Sequence, residues 1–118
     1  MLQNKKFYEF ENAAIMKSIN NIADTQTREI IFEQYQNAAV ILRKFDKVGF
    51  FTYFEIPYNL RRLPVDVPPF GDIVFDINDL KDGVGFVVFT KNGALNMVEC
   101  YTNAGYLPDE IKYFKQRT

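Results

Sequence analysis

Glu99 is the acid in this chain with the most chemical potential. It sits in an apolar run, Met97-Val98-Glu99-Cys100-Tyr101, where a charge needs a partner or a raised pKa. Glu55 closes the aromatic run Phe51-Thr52-Tyr53-Phe54 in the same way. Two carboxylates on one sheet are the minimal kit for acid/base chemistry, here in a pocket lined by Tyr53 and Phe86. Nothing in the sequence sets the distance between them. The plainer reading has each Glu at a sheet edge beside a Lys or Arg. Cys100 is the lone cysteine; its apolar neighbours suit a small buried hydrophobe better than a reactive thiolate. Gly83-Val84-Gly85 looks superficially like a phosphate loop, but a strand follows it rather than a helix N-terminus. Arg61 and Arg62 can hold a partner's carboxylate, or can simply be solvated.

The chain contains no histidine. That removes the usual neutral-pH general base, the usual zinc ligand and the Ser-His and Cys-His nucleophile pairs. No catalytic residue, metal site or cofactor is therefore expected, and binding is the expected mode of action. Net charge is −1, but it is unevenly spread. Between positions 64 and 111 lie Asp66, Asp72, Asp76, Asp79, Asp82, Glu99, Asp109 and Glu110 against Lys81 and Lys91 only. An acidic half disfavours nucleic acid, which needs clustered cations, and suits a partner protein with a basic surface. The expected contacts are Asp66, Asp72, Asp76, Asp79 and Asp82, with Arg61 and Arg62 in the adjoining proline-rich segment. One cysteine excludes an intramolecular disulfide and favours a reducing compartment. No signal-like or membrane-spanning run is visible, so the expectation is a cytoplasmic protein, either monomer or homodimer.

The elements that must position these residues can be read from periodicity. The 118 residues suit one α+β domain. Twelve Phe and seven Tyr, with no Trp, promise an aromatic core. Spacings of three and four across Phe7, Phe10, Ala14, Ile15, Ile19 and Ile22 predict an amphipathic helix. Asp24 or Thr25 caps a second helix through about Gln36. Ala39 to Phe45 and Val48 to Ile56 then form a hairpin around Asp46-Lys47; the competing reading is a helix running on through Leu42. In the second strand Val48, Phe50, Thr52, Phe54 and Ile56 share one face. The opposite face is also largely apolar, which makes this strand central.

Residues 57–71 hold four of the five prolines and form a stiff extended connection, read either as a functional loop or as cover for a sheet edge. Asp72 to Ile77 is a strand, Asn78 to Gly83 a polar turn, and Val84 to Lys91 a strand. Asn92-Gly93 is a type I′ turn leading to Ala94 to Tyr101. An uninterrupted ladder from that turn pairs Lys91 with Ala94, Phe86 with Glu99 and Gly85 with Cys100, placing Glu99 beside Phe86, Val88 and Met97. Pro108, with Asp109 and Glu110, opens a short C-terminal helix or turn. The expected whole is two helices followed by a largely antiparallel sheet of about five strands.

The blocks Gly49-Phe50-Phe51-Thr52 with Phe54-Glu55-Ile56-Pro57, Gly83-Val84-Gly85-Phe86-Val87-Val88-Phe89 with Lys91-Asn92-Gly93, and Val98-Glu99-Cys100-Tyr101-Thr102 resemble a group of small bacterial α+β domains. Their pattern is a "VGFFT-x-F-x-P" block, a "G-x-GFVLF-x-K-x-G" hairpin and an "LEGYT" strand. Cys100 stands where that pattern usually has Gly. Some members look like immunity proteins of contact-dependent or polymorphic toxin systems. The resemblance spans about residues 45–108 and implies a chain that binds and neutralises a cognate bacterial toxin.

Overall fold

The computed structural model describes residues 2–117. Helix α1 (Lys5–Asn20) is capped by Asn4, whose side chain accepts from the Phe7 amide. Helix α2 (Thr25–Gln36) is capped by Asp24, which accepts from the Thr27 amide and hydroxyl. Such caps satisfy amides that have no partner inside the helix. The chain then runs through β1 (Ala39–Asp46), β2 (Gly49–Glu55), β3 (Phe70–Ile77), β4 (Leu80–Lys91), β5 (Ala94–Thr102) and β6 (Phe114–Gln116). All pair antiparallel in one sheet, ordered β1-β2-β5-β4-β3-β6. This is the expected α+β arrangement of two helices and an antiparallel sheet, with a sixth strand added. Of the helix or turn expected near the C-terminus, the described residues form no helix: a bend at Asp109–Glu110 leads into β6, which pairs with the outer side of β3.

Both helices lie on one face of the sheet. Phe7 packs on Phe50 with ring centroids 5.0 Å apart, and Phe10 packs on Phe75 and Phe86 at 5.5 and 6.2 Å. Phe7, Phe10, Phe50 and Phe86 are fully buried. Each stabilises the fold by roughly 1.5–3 kcal/mol through burial alone. On the helix side β2 contributes Phe50, Thr52 and Phe54. Ile56 is buried just beyond its end, but Val48 is exposed. The hairpin turn is Lys47-Val48, since Asp46 pairs with Gly49.

Two connections differ from their expected form. The turn between β3 and β4 shrinks to Asn78-Asp79, with Asp79 in the left-handed region at φ 68°. The proline-rich segment crosses the tip of the β4–β5 hairpin rather than covering a sheet edge. The Leu63 amide donates to the Gly93 carbonyl (2.9 Å), and the Val67 amide donates to Thr90 Oγ1 (3.3 Å). Stiff proline geometry suits a chain that must span two strands without pairing to either.

The most consequential difference is a bulge. Asn92 and Gly93 both have positive φ, 53° and 77°, which makes the turn type I′ as expected. Pairing begins in the expected register, Lys91 with Ala94 and Thr90 with Leu95. Phe89 then pairs with Met97, leaving Asn96 as an extra residue on β5. Beyond it Val87 faces Glu99, Phe86 faces Cys100 and Gly85 faces Tyr101. A one-residue slip moves every later side chain to the other face. Cys100 and Val98 therefore point to the helices, and Glu99 and Met97 point away.

Candidate functional site

The face of the sheet without helices carries the most distinctive surface. Thr52 on β2 bonds to Glu11 of α1, so alternation turns Phe51 and Tyr53 to the opposite side. Their rings lie 6.4 Å apart there. Cross-strand pairing puts Glu99 between Phe51 and Val87, and Met97 between Tyr53 and Phe89. Tyr101 follows on the same face and lies across Gly85, where a Cβ would sit 2.2 Å from the ring. Only glycine lets the ring lie that flat. Burial, followed by the nearby charges of Asp72 and Glu99, holds the Tyr101 phenol above its ordinary pKa. Asp72 is itself a bulge residue at φ 43°, the extra position between the pairs Gly71–Val87 and Ile73–Phe86. At the β1 side Lys44 places its ammonium 5.7 Å from the Tyr53 ring centroid. The result is an aromatic and aliphatic strip half open to water, with Glu99 at its centre between Phe51 and Val87, Asp72 at the β3 end and Lys44 at the β1 end.

Several expected site residues are elsewhere. Phe86 is on the helix side and fully buried, so it lines no pocket with Tyr53. Glu55 lies four residues along β2 from Phe51, the partner of Glu99, which is about 13 Å. That is too far for a retaining or inverting carboxylate pair. It lines instead a shallow cleft with Arg62, Lys91 and Asn92. The slip at Asn96 is the physical reason Glu99 escapes the core. The five aspartates do not make one patch either. Asp66 accepts from the Asn92 and Gly93 amides, at 3.0 and 2.6 Å, and so shapes the hairpin tip. Asp76 pairs with Arg117, whose Nε donates at 3.1 Å. The Asp82 carbonyl accepts from Asn103 Nδ2 at 3.0 Å. Asp79 is exposed in its turn and Asp72 joins the open face. Arg62 donates to the carbonyls of Pro57, Leu60 and Ile56, and Arg61 pairs with Glu33 at 3.5 Å. Both arginines brace the crossover.

Two buried polar centres were not among the expected sites. Glu11 accepts from Arg43 Nη2 (2.6 Å), Arg43 Nε (3.2 Å) and Thr52 Oγ1 (2.6 Å). The guanidinium also lies over Phe7 and Tyr8, 5.5 and 5.1 Å from the ring centroids. Gln34 is fully buried; its amide donates to the Arg61 and Gly93 carbonyls, and its oxygen accepts from the Leu95 amide. It pins α2, the crossover and the hairpin tip together. The sequence signal for both is a polar residue on the apolar stripe of a helix. Beside Glu11 a cleft of about 610 Å³ opens between α1, α2 and β1, lined by Met16, Phe32, Tyr35, Ala38, Val40 and Phe54. Tyr35 donates to Asn12 Oδ1 at 2.7 Å, and burial beside the Glu11 carboxylate pushes its phenol up to about 12. Burial likewise raises the Cys100 thiol far above its ordinary value, which keeps it protonated and unreactive.

Among the described residues no group of three potential metal ligands converges, and no helix is long and apolar enough to cross a membrane. Comparison with family models, curated proteins and solved structures finds no match to the chain.

Proposed function

We propose that this chain is a binding protein of the immunity type, which captures a cognate bacterial toxin in the cytoplasm through the open face of its sheet. The observation that carries the reading is the strip Phe51, Tyr53, Val87, Phe89, Met97 and Tyr101 with Glu99 among them and Asp72 at its β3 end. Aromatic and methionine side chains are the composition that interfaces favour at their centres. The carboxylates call for a basic partner surface. The motif resemblance supplies the partner class. The contact set differs from the one the acidic stretch suggested: Asp72 remains and Glu99 joins it from the expected pocket, while Asp66, Asp76, Arg61 and Arg62 hold the chain's own structure.

The test is to express the proteins encoded beside this gene, ask whether one of them is a toxin domain that this chain captures, and titrate that pair by calorimetry. Glu99→Lys should weaken binding by about 2 kcal/mol or more, the scale of an interface hot spot, while Asp79→Lys should change it little. Equal affinity for wild type and Glu99→Lys would remove the open face from the interface.

A further inference from the structure

We infer that the free edge of β1 is a strand-addition site for an extended segment of another protein, antiparallel to β1, with an apolar side chain in the cleft beside Val40 and a carboxylate beside Lys44. The two edges of the sheet are built differently. The β6 edge is only three residues long, and shortness is one way natural sheets discourage pairing. The β1 edge is eight residues long and begins with the uncharged run Ala39-Val40-Ile41-Leu42. Val40, Ile41 and Leu42 are 43%, 59% and 46% exposed. Strand β1 pairs with β2 alone, and its backbone makes no other backbone hydrogen bond among the described residues. Its outward amides and carbonyls are therefore a template that only another extended chain completes.

The side chains define that chain. A bulge at Ile41 separates the pairs Val40–Phe54 and Leu42–Tyr53, so Val40 turns toward the helices while Lys44 turns to the open face. On a regular incoming strand the residues opposite Lys44 and Val40 are then three apart and point to opposite faces. The one beside Val40 meets the cleft of Met16, Phe32, Tyr35 and Phe54. The two titratable groups of that cleft are already bonded, Glu11 to Arg43 and Thr52, and Tyr35 to Asn12, while Gln36 is exposed and can keep its amide in water. An apolar side chain is what fits. The one opposite Lys44 meets an ammonium with no ion-pair partner among the described residues, which calls for a carboxylate. A second copy fits less well. A two-fold pairing that covers Val40–Leu42 sets both Ile41 bulges near the axis, and registers shifted toward Asp46 leave Val40–Leu42 in water.

The probe is a blocked, threonine-rich octapeptide carrying one Glu and, three residues later, one Leu, followed by amide NMR and hydrogen exchange on the intact chain. Shifts and slowed exchange should concentrate on Val40 to Phe45. Lys44→Glu should weaken binding by up to about fivefold, the worth of a cross-strand charge pair, and a peptide with Lys in place of Glu should recover it. Ile41→Lys should abolish binding without altering the fold, since Ile41 lies outside the core. The site meets the open-face strip only at Lys44, two strands from Glu99, so Glu99→Lys should change peptide affinity less than Lys44→Glu does. Indifference to Lys44→Glu, shifts centred on Phe51 and Met97, or no shift at about 1 mM peptide would each overturn the assignment. So would protection of β1 that rises with protein concentration in the absence of peptide, which would make the occupant a second copy.

Discussion

Removing Arg43 should destabilise this protein more than removing Glu11, although the two form one ion pair. The Glu11 side chain is 7% exposed and that of Arg43 14%, and contact is made through two nitrogens. At about 4 Å between charge centres and an effective dielectric near 20, the attraction is about 4 kcal/mol. Breaking a buried pair by truncating one partner costs about 3–5 kcal/mol, because the survivor is stranded. The survivors differ. In Arg43→Ala the Glu11 carboxylate stays beneath the helix with Thr52 as its one remaining donor, which places the loss near 4 kcal/mol. In Glu11→Ala the guanidinium starts from an exposed edge strand and can reach water along its flexible stem, so the loss falls toward about 2 kcal/mol. The double variant Glu11→Leu/Arg43→Leu strands no charge and should lose less than Arg43→Ala. Urea denaturation reads these values directly. With a slope of about 1.5 kcal/mol/M, the midpoint drops by more than 2 M in Arg43→Ala and by about half that in Glu11→Ala. Equal losses, or a larger loss in Glu11→Ala, would refute the reasoning. Losses under about 0.5 kcal/mol in both would show a pair screened like a surface one.

Two further outcomes follow from the same physics. Deleting Asn96 should leave the hairpin tip intact but drive Glu99 into the helix-facing core and Cys100 out. The native dispersed amide spectrum should be lost, whereas Asn96→Ala should retain it; a folded deletion variant would refute the bulge. Tyr35 ionises at about 12 in the folded chain against an ordinary value of 10.0, so between those pH values the unfolded chain has lost a proton that the folded one keeps. The part of the stability that depends on Tyr35 should be unaffected below pH 10 and fall as pH rises toward 12, on top of a fall that the buried Cys100 thiol begins near its ordinary value of 9.0. Tyr35→Phe should remove that part of the alkaline fall, as read by urea midpoints; an unaltered slope would show that another group is responsible.

Element types were legible because their signals are local. The stripe from Phe7 to Ile19, the Asp24 cap and the Asn92-Gly93 turn each depend on residues within a few positions of one another. Register was not. The turn fixes only the first two pairs of the β4–β5 ladder, and nothing about Asn96 as a residue type announces that β5 will bulge there. The fate of Glu99 hung on that single residue, so its predicted pocket with Phe86 failed although a β4–β5 hairpin was expected there. The internal partners of the acidic stretch were hidden for a different reason. Proximity in sequence says nothing about partners, and Asp66 and Asp76 found theirs 26 and 41 residues away. The C-terminal segment carried the marks of a helix start, Pro108 followed by two acids, but the exposed edge of β3 offered Phe114–Gln116 a ladder that a one-turn helix cannot match.

The bulge also changes how this chain should be set beside any other. In most strands an insertion or deletion is absorbed in a loop and alters length alone. At Asn96 a gap of one is a parity change: it exchanges interior and exterior for the next six positions while leaving their identities and the hairpin untouched. Two sequences that match residue for residue from Met97 to Thr102, but differ by that single position, would present opposite halves of the strand to a partner.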